Sequence, residues 1–177
     1  MQKIEMPKDK DAISLLKSDH DEVKKLFKEI EAEVDQEAIF DRIKGALEAH
    51  ATIEEEIFYP AVKKARSEEV KGEVREAYEE HKQVKALLAA IAEISPDDES
   101  YSAKIKVLKE DVEHHVAEEE GEMFPDARKY LRGKLEDLGA QMQARKDELE
   151  TNGVAESKNE PAPERGGRSS NGKSKEA

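Results

Sequence analysis

Four stretches of this chain carry apolar residues at steps of three and four, the spacing that lines one face of an α-helix. In every stretch, a histidine occupies one position of this apolar stripe, namely His20, His50, His81 or His115. In the second and fourth stretches a glutamate, Glu54 or Glu119, occupies the stripe as well. The first stretch illustrates the pattern with Ile13, Leu16, His20, Val23 and Phe27. Because the stripe of an amphipathic helix faces the core, the pattern predicts four packed helices, each with a histidine pointing inward.

Three breaks separate the stretches, near Asp35, near Ser67 and at residues 95–98. The last break reads Ser-Pro-Asp-Asp, a combination that favours a turn followed by a new helix. Short connections make neighbouring helices antiparallel, so we predict an all-α, up-down-up-down antiparallel four-helix bundle. The composition agrees, because a chain with 41% charged and 36% hydrophobic residues suits helices that bury one face and expose the other.

The C-terminal part of the chain divides into two segments. A fifth apolar pattern from Tyr130 to Met142 predicts a short C-terminal helix packed on the outside of the bundle. From about Thr151 the chain turns to Asn, Gly, Ser, Pro, Lys and Glu, which bury too little apolar surface to offset the entropy of ordering. We therefore predict a bundle domain with its appended helix over residues 1–150 and a disordered polar tail over residues 151–177.

Charge and composition exclude several classes of function. A net charge of −13 argues against nucleic acid as a partner, since phosphates are bound by clustered Lys and Arg. No stretch is long and apolar enough to cross a bilayer, and the first residues lack the apolar core of a signal peptide. The absence of cysteine rules out disulfides and thiolate metal sites. The expectation is a cytoplasmic protein without membrane or nucleic-acid partners.

A histidine-containing hairpin occurs twice in the sequence. Residues 19–24 read DHDEVK and residues 80–85 read EHKQVK, whereas residues 50–60 read HATIEEEIFYP and residues 115–125 read HVAEEEGEMFP. Histidine, glutamate and proline fall at the same offsets in both copies. This duplication predicts a bundle with pseudo-two-fold symmetry.

The histidines are also expected to lie at one height along the bundle. His20 lies about fifteen residues before the first turn and His50 about fourteen after it, which at about 1.5 Å per residue is the same level. His81 and His115 lie about seventeen residues on either side of a loop centred near Asp98. Glu54 and Glu119 each follow a histidine by four residues and so share its helix face. The other glutamates of the triplets at 54–56 and 118–120 are expected to form a solvated acidic face.

Four imidazoles and two carboxylates are costly to bury together unless cations neutralise the charge. Two divalent ions could each take two imidazoles, with the two carboxylates bridging them. Mixed nitrogen and oxygen ligands suit iron, and zinc, manganese or copper could also bind. A single histidine in an apolar stripe is more often a hydrogen-bonded core residue, and one HxxxE pair is weak evidence in a Glu-rich chain. The combination of all of them in a duplicated hairpin is what favours a metal site.

The pattern H…HxxxE…H…HxxxE on four helices resembles the hemerythrin-like, or HHE cation-binding, family. Residues 114–128, HHVAEEEGEMFPDAR, are especially similar to the fourth helix of that family, and the resemblance covers about residues 9–129. It implies a non-haem di-iron centre, in which two Fe ions are bridged by two carboxylates and an oxo or hydroxo group. The positions that match the family's ligands are His20, His50, Glu54, His81, His115 and Glu119.

The sequence departs from the oxygen-carrying hemerythrins at two points. These proteins use a fifth histidine on the third helix, but Ala77 and Lys85 stand four residues before and after His81. They also space their fourth-helix pair five residues apart, which here fits His114 and Glu119. His114 is therefore an additional candidate, as a ligand, as a hydrogen-bond partner of a ligand or as an exposed residue. Fewer ligands leave more open positions on iron and weigh against reversible oxygen storage.

The predicted function is binding of, and reaction with, O₂, NO or peroxide at a His/Glu-ligated di-iron centre. Catalase-like peroxide removal and NO handling are its enzymatic versions. The alternative is a reversible oxygen carrier, a sensor or an iron-buffering protein without turnover. The predicted partner is a small diatomic molecule or peroxide, and the sequence leaves the oligomeric state and any electron donor open.

Overall fold

The computed structural model describes residues 11–32, 35–64 and 68–157 of the 177-residue chain. These residues form five helical rods, two of which contain a π-helical turn. The rods are α1, Ala12–Ile30; α2, Gln36–Ile53 continued by a π turn, Glu54–Phe58, and by Tyr59–Lys63; α3, Glu68–Ala92; α4, Tyr101–Glu118 continued by a π turn, Glu119–Met123, and by Phe124–Tyr130; and α5, Leu135–Ser157.

The helices form the bundle that the sequence predicts. Helix α1 packs against α2, α2 against α3, and α3 against α4, whereas α5 lies across α1 and α2 on the outside. At the first break, Asp35 adopts the left-handed conformation with φ of 52°. At the third break, the Ser100 backbone N–H donates to Asp98 Oδ1 at 2.8 Å before α4 begins. The break predicted near Ser67 falls outside the described residues, between Lys63 and Glu68.

The bundle core consists of two apolar clusters separated by a polar layer. The first cluster includes Leu16, Phe58, Ala77 and Met123 and extends to α5. The second includes Val23, Leu47, Val84 and Val112 and lies toward the other end of the bundle. The four histidines of the apolar stripes fall between these sets along every helix. Each helix is therefore held on both sides of its histidine by buried apolar contacts, which fix the position of the polar layer.

Both π turns begin at a glutamate of the duplicated motif. The backbone N–H of Tyr59 bonds to Glu54 O, and that of Phe124 bonds to Glu119 O, so each bond spans five residues. Pro60 and Pro125 follow directly. A proline inside a helix removes one backbone hydrogen bond and crowds the carbonyl four residues earlier, so a locally wider turn accommodates it. The prolines at matching offsets thus account for the matching π turns.

Helix α5 is longer than the short helix predicted, with 23 residues. It continues past Thr151, where composition predicts a tail, to Ser157. Leu135, Leu138 and Met142 are buried against the first apolar cluster. The division at residues 150 and 151 stays a prediction, and residues 158–177 lie outside the described part. Within that described part, every helix is too short or too polar to pass through a bilayer.

Met142 provides a test of how firmly α5 is docked. Its side chain is fully buried, so Met142→Ala should lower the free energy of unfolding by about 2–4 kcal/mol through the cavity that it leaves. Gln141→Ala, at an exposed position one residue earlier, should change it by less than about 0.5 kcal/mol. Urea denaturation of both variants measures the difference, and equal values would contradict the docking of α5.

Candidate metal centre

Six side chains from four helices meet in the polar layer, and each is at most 5% exposed. Glu54 Oε2 lies 3.2 Å from His50 Nε2 and 3.3 Å from His81 Nε2. Glu119 Oε2 lies 3.3 Å from His20 Nε2 and 3.6 Å from His115 Nε2. Each carboxylate therefore stands between imidazoles of two different helices. The structure brings together all six residues that the sequence analysis proposed as ligands.

These groups divide into two overlapping sets, each of a size that one ion could occupy. His20, His50, Glu54 and Glu119 each place one ligand atom within 4.8 Å of the others, and so do Glu54, His81 and His115. Two ligands that bind one ion at about 2.1 Å and at right angles lie about 3 Å apart, close to the separations found here. Glu54 belongs to both sets, as a carboxylate that bridges two ions would.

Several buried atoms of this layer have no hydrogen-bond partner. Among the described residues they include Nε2 of His20, Nε2 of His50, Glu54 Oε1 and Glu119 Oε2. In addition, Nε2 of His81 and Nε2 of His115 face each other at 3.1 Å. Buried polar atoms are nearly always satisfied in native proteins, and two facing nitrogen lone pairs repel unless a proton or a cation lies between them. The residues therefore fit a pair of metal ions.

Burial of charged groups close to one another also shifts the pKa values of the residues in this layer. Burial, together with the negative charge of Glu119, raises the pKa of Glu54 well above its usual value. For Glu119, burial acts in the same direction, but the close contact with His20 and the charges of the surrounding histidines outweigh it and lower the pKa. Burial lowers the pKa of His50 to about 4, which keeps its imidazole neutral at pH 7. Burial of the two carboxylates side by side thus favours the protonated form of Glu54 unless a cation balances the charge.

An outer set of carboxylates orients the four imidazoles. We call Asp19, Glu55, Glu80 and Glu120 the outer carboxylates. The pairs that they form with histidine Nδ1 are Glu120 with His20 at 2.9 Å, Asp19 with His50 at 3.4 Å, Glu55 with His81 at 2.9 Å and Glu80 with His115 at 2.7 Å. An ionised carboxylate only accepts, so the proton lies on Nδ1 and the Nε2 lone pair points to the centre of the layer.

The outer carboxylates correct one expectation from the sequence. Glu55 and Glu120 were expected on a solvated acidic face, yet their side chains are only 26% and 33% exposed and each bonds a histidine. The next residue along a helix points about 100° away from the one before it, so Glu55 and Glu120 lie beside the inward-facing Glu54 and Glu119. Glu55 therefore faces His81 on α3, and Glu120 faces His20 on α1. Glu56 does remain exposed.

His114 lies apart from the six converging residues. Its side chain is 68% exposed, and its Nε2 lies 3.2 Å from Glu118 Oε1 and 3.8 Å from Glu80 Oε1. Of the two adjacent histidines, His115 is the one that faces the polar layer.

Tyr59 is a buried member of the layer to which the sequence analysis assigned no role. Its hydroxyl donates to Glu119 Oε1 at 2.7 Å and lies 3.2 Å from Glu54 Oε2 and 3.3 Å from His81 Nε2. Burial, reinforced by the two carboxylates, raises the pKa of Tyr59 well above its usual value. The π turn turns the Tyr59 side chain toward the polar layer. In the sequence, its position between the candidate ligand Glu54 and Pro60 could have indicated this role.

Comparison with known proteins agrees with this geometry. Residues 11–127, about two thirds of the chain, match the family described as the hemerythrin HHE cation binding domain. The chain belongs to this family. The matched range contains all six candidate ligands and all four outer carboxylates of the HHE domain.

Solved and curated relatives support the same assignment. The crystal structure of an HHE domain-containing protein from Mycobacterium kansasii, a homolog of Rv2633c, superposes with a TM-score of 0.73 at 26% identity, over 84% of this chain and 93% of that one. The uncharacterized protein Rv2633c of Mycobacterium tuberculosis is 30% identical over 144 residues, which are 78% of this chain and 86% of that protein.

A protein named DNA nickase from Nostoc sp. is also related. It is 34% identical over 120 residues, which are 66% of this chain. These residues make up 33% of the nickase, so the chain spans about a third of the length of that relative.

Helix α5 contacts the candidate metal centre of this HHE domain through Lys146. Its Nζ lies 2.6 Å from Asp19 Oδ1, and Asp19 in turn bonds His50. The Asp19 side chain is 7% exposed and that of Lys146 is 15% exposed. The neighbouring Arg145 forms a surface ion pair with Glu56 at 2.7 Å instead.

Substitution of Lys146 tests this contact. Lys146→Met keeps the length of the side chain but leaves a buried carboxylate without its cation, so the free energy of unfolding should fall by about 2–3 kcal/mol. Arg145→Gln, which breaks surface ion pairs on the same helix, should cost less than about 1 kcal/mol. Chemical denaturation of metal-free protein measures both. A loss for Arg145→Gln as large as that for Lys146→Met would contradict the special position of Lys146.

Proposed function

We propose that this HHE domain binds two iron ions and uses them to bind and react with O₂, NO or peroxide. The observation that carries the proposal is the pair of imidazole sets that share Glu54 and contain buried atoms without hydrogen bonds. Mixed imidazole and carboxylate ligands suit iron. When bound, iron would supply redox chemistry and open coordination positions. A cytoplasmic location and the absence of nucleic-acid partners stay predictions from composition.

A small cavity beside the imidazoles supports a small ligand. It has a volume of about 30 Å³, and its walls include the apolar side chains of Val23, Leu47, Val84, Leu88 and Val112. The imidazoles of the four histidines line the same cavity. A volume of this order holds one or two atoms of the size of a water oxygen, which suits a diatomic molecule or peroxide and excludes larger substrates.

The residues around the layer can orient ligands and hold protons. Tyr59 keeps its proton, because its raised pKa leaves the hydroxyl neutral, and it holds Glu119 through a 2.7 Å hydrogen bond. The outer carboxylates fix the ring orientation of the histidines, which in other metal sites raises metal affinity by about 10–100-fold. The apolar side chains of the cavity limit access of water. These features are compatible with turnover of a small oxidant.

Reversible oxygen carriage, iron buffering and sensing are the alternatives. Oxygen carriers of the family have a further histidine on the third helix, but Ala77 and Lys85 stand four residues before and after His81, so neither position supplies an imidazole. That observation weighs against carriage. The contact of α5 with Asp19 favours sensing as the second candidate, because a change at His50 would reach an outer helix through Lys146.

Metal analysis of two glutamate variants tests the ligand set. Wild-type protein grown with iron should contain about two iron atoms per chain, since each imidazole set can hold one ion. Glu54→Ala removes the shared carboxylate and should lower the iron content below one atom per chain. Glu56→Ala, two residues later and exposed, should retain the wild-type content and spectrum. Equal iron contents in the two variants would contradict the assignment of Glu54.

Exposure of the ferrous protein to O₂ distinguishes reaction from carriage. We expect rapid, irreversible oxidation, followed by many turnovers when peroxide is added, because the centre has fewer ligands than the oxygen carriers. Stopped-flow absorption and an oxygen electrode measure both steps. A stable spectrum that reverses when O₂ is removed would instead establish carriage.

A further inference from the structure

An acidic cleft between α3 and α4 leads from the surface to the polar layer. It has a volume of about 40 Å³. Glu76 and Glu122 line it at exposed positions, whereas His115 and Glu119 line it at its buried end. Ala77 forms part of the wall, where a larger side chain would occupy space. The cleft therefore connects solvent with two of the candidate ligands.

Within the described ranges, four carboxylates of this cleft, Glu76, Glu80, Glu118 and Glu122, lack the lysine partner that the other outer carboxylates have. Glu120 pairs with Lys17 at 2.9 Å, Glu55 with Lys85 at 2.7 Å and Asp19 with Lys146 at 2.6 Å. Glu80 has no such partner within the described ranges, and neither have Glu76, Glu118 and Glu122. Carboxylates of one sign in a narrow cleft concentrate cations near its mouth.

Three side chains near the cleft could bind a cation before it reaches the interior. Glu80, His114 and Glu118 each place a ligand atom within 4.8 Å of the others. Glu80 also joins this group to the centre, because its Oε1 lies 3.8 Å from His114 Nε2 while its Oε2 bonds His115 Nδ1 at 2.7 Å. At the inner end, Glu119 is 1% exposed and its Oε2 has no hydrogen bond. This unsatisfied buried oxygen, which also supports the proposed centre, points to a cation position at the inner end of the cleft.

We propose that divalent cations reach the buried centre through this cleft, with Glu80, His114 and Glu118 as the outer binding position. The inference rests on the proposed metal centre. A larger opening of about 310 Å³ reaches His20 between α1 and α4, but it has fewer carboxylates, Glu113 and Glu120, and Lys24 lines it as well. Its outer carboxylate Glu120 is already paired with Lys17. The larger volume of that opening would favour it as the entry route, whereas the greater negative charge of the acidic cleft favours the cleft for a cation.

The rate of cobalt(II) binding to metal-free, full-length protein tests the route. Glu76→Gln combined with Glu122→Gln removes two charges from the cleft, and stopped-flow absorption should show about tenfold slower uptake at low salt. The final content should stay at two cobalt ions per chain, because neither residue belongs to the centre. At 1 M salt, where the Debye length is about 3 Å, the difference from wild type should disappear.

A matched variant controls for net charge. Glu22→Gln combined with Glu48→Gln removes the same charge from exposed positions in a different groove, bordered by α1, α2 and α5, and should slow uptake less than twofold. Equal rates for the two double variants, with two cobalt ions still bound, would overturn the route alone. If wild-type protein binds no cobalt, the proposed metal centre fails and the route fails with it.

His114→Ala tests the outer binding position. It should slow uptake while the final content stays at two cobalt ions per chain. A fall to one ion would make His114 a ligand of the centre, and an unchanged rate would show that cations pass without binding there. Either result would overturn the outer position.

Discussion

The structure depends on the burial of four imidazoles and two carboxylates between two apolar clusters. Removal of a carboxylate from water costs free energy, and two nitrogen lone pairs that face each other form no hydrogen bond that would offset this cost. The surrounding features each reduce this cost: outer carboxylates accept from every Nδ1, lysines neutralise three of them, and Tyr59 donates to Glu119. The atoms that still lack a hydrogen bond are histidine Nε2 atoms and carboxylate oxygens, which are the atoms that divalent cations bind.

The bundle and the convergence of the six residues could be predicted because both follow from simple periodicities. An apolar stripe fixes which face of each helix turns inward, and a constant rise per residue fixes the height of each histidine. The outer carboxylates could not be predicted in this way. Glu55 and Glu56 are equally plausible surface residues in a Glu-rich helix, and only the rotation of α2 against α3 decides between them. The duplication did contain a signal, since an acidic residue precedes His20 and His81 in both copies.

Tyr59 and the length of α5 were missed for different reasons. In a regular α-helix, residues five apart point about 140° away from each other, so Tyr59 was not expected beside Glu54. The π turn adds a residue to that turn and brings the hydroxyl into the layer. The apolar pattern from Tyr130 to Met142 covers only the first part of α5, because its last turns are polar. Leu149 and Lys146 still contact the bundle, the first by packing and the second through Asp19.

The two halves of the duplicated hairpin are not equivalent at the candidate centre, and the difference distinguishes the two imidazole sets. Phe124 occupies the place in the second copy that Tyr59 occupies in the first, and it stacks on His20 with ring centroids 5.7 Å apart. The position formed by His20 and His50 is thus covered by an aromatic ring and backed by outer carboxylates that Lys17 and Lys146 neutralise. The position formed by His81 and His115 has the Tyr59 hydroxyl at 3.3 Å from His81 and, beside His115, the acidic cleft. Both imidazole sets are thus reached from solvent, His20 through an opening lined by Lys24 and His115 through the acidic cleft, so the charge of the surroundings rather than enclosure distinguishes them.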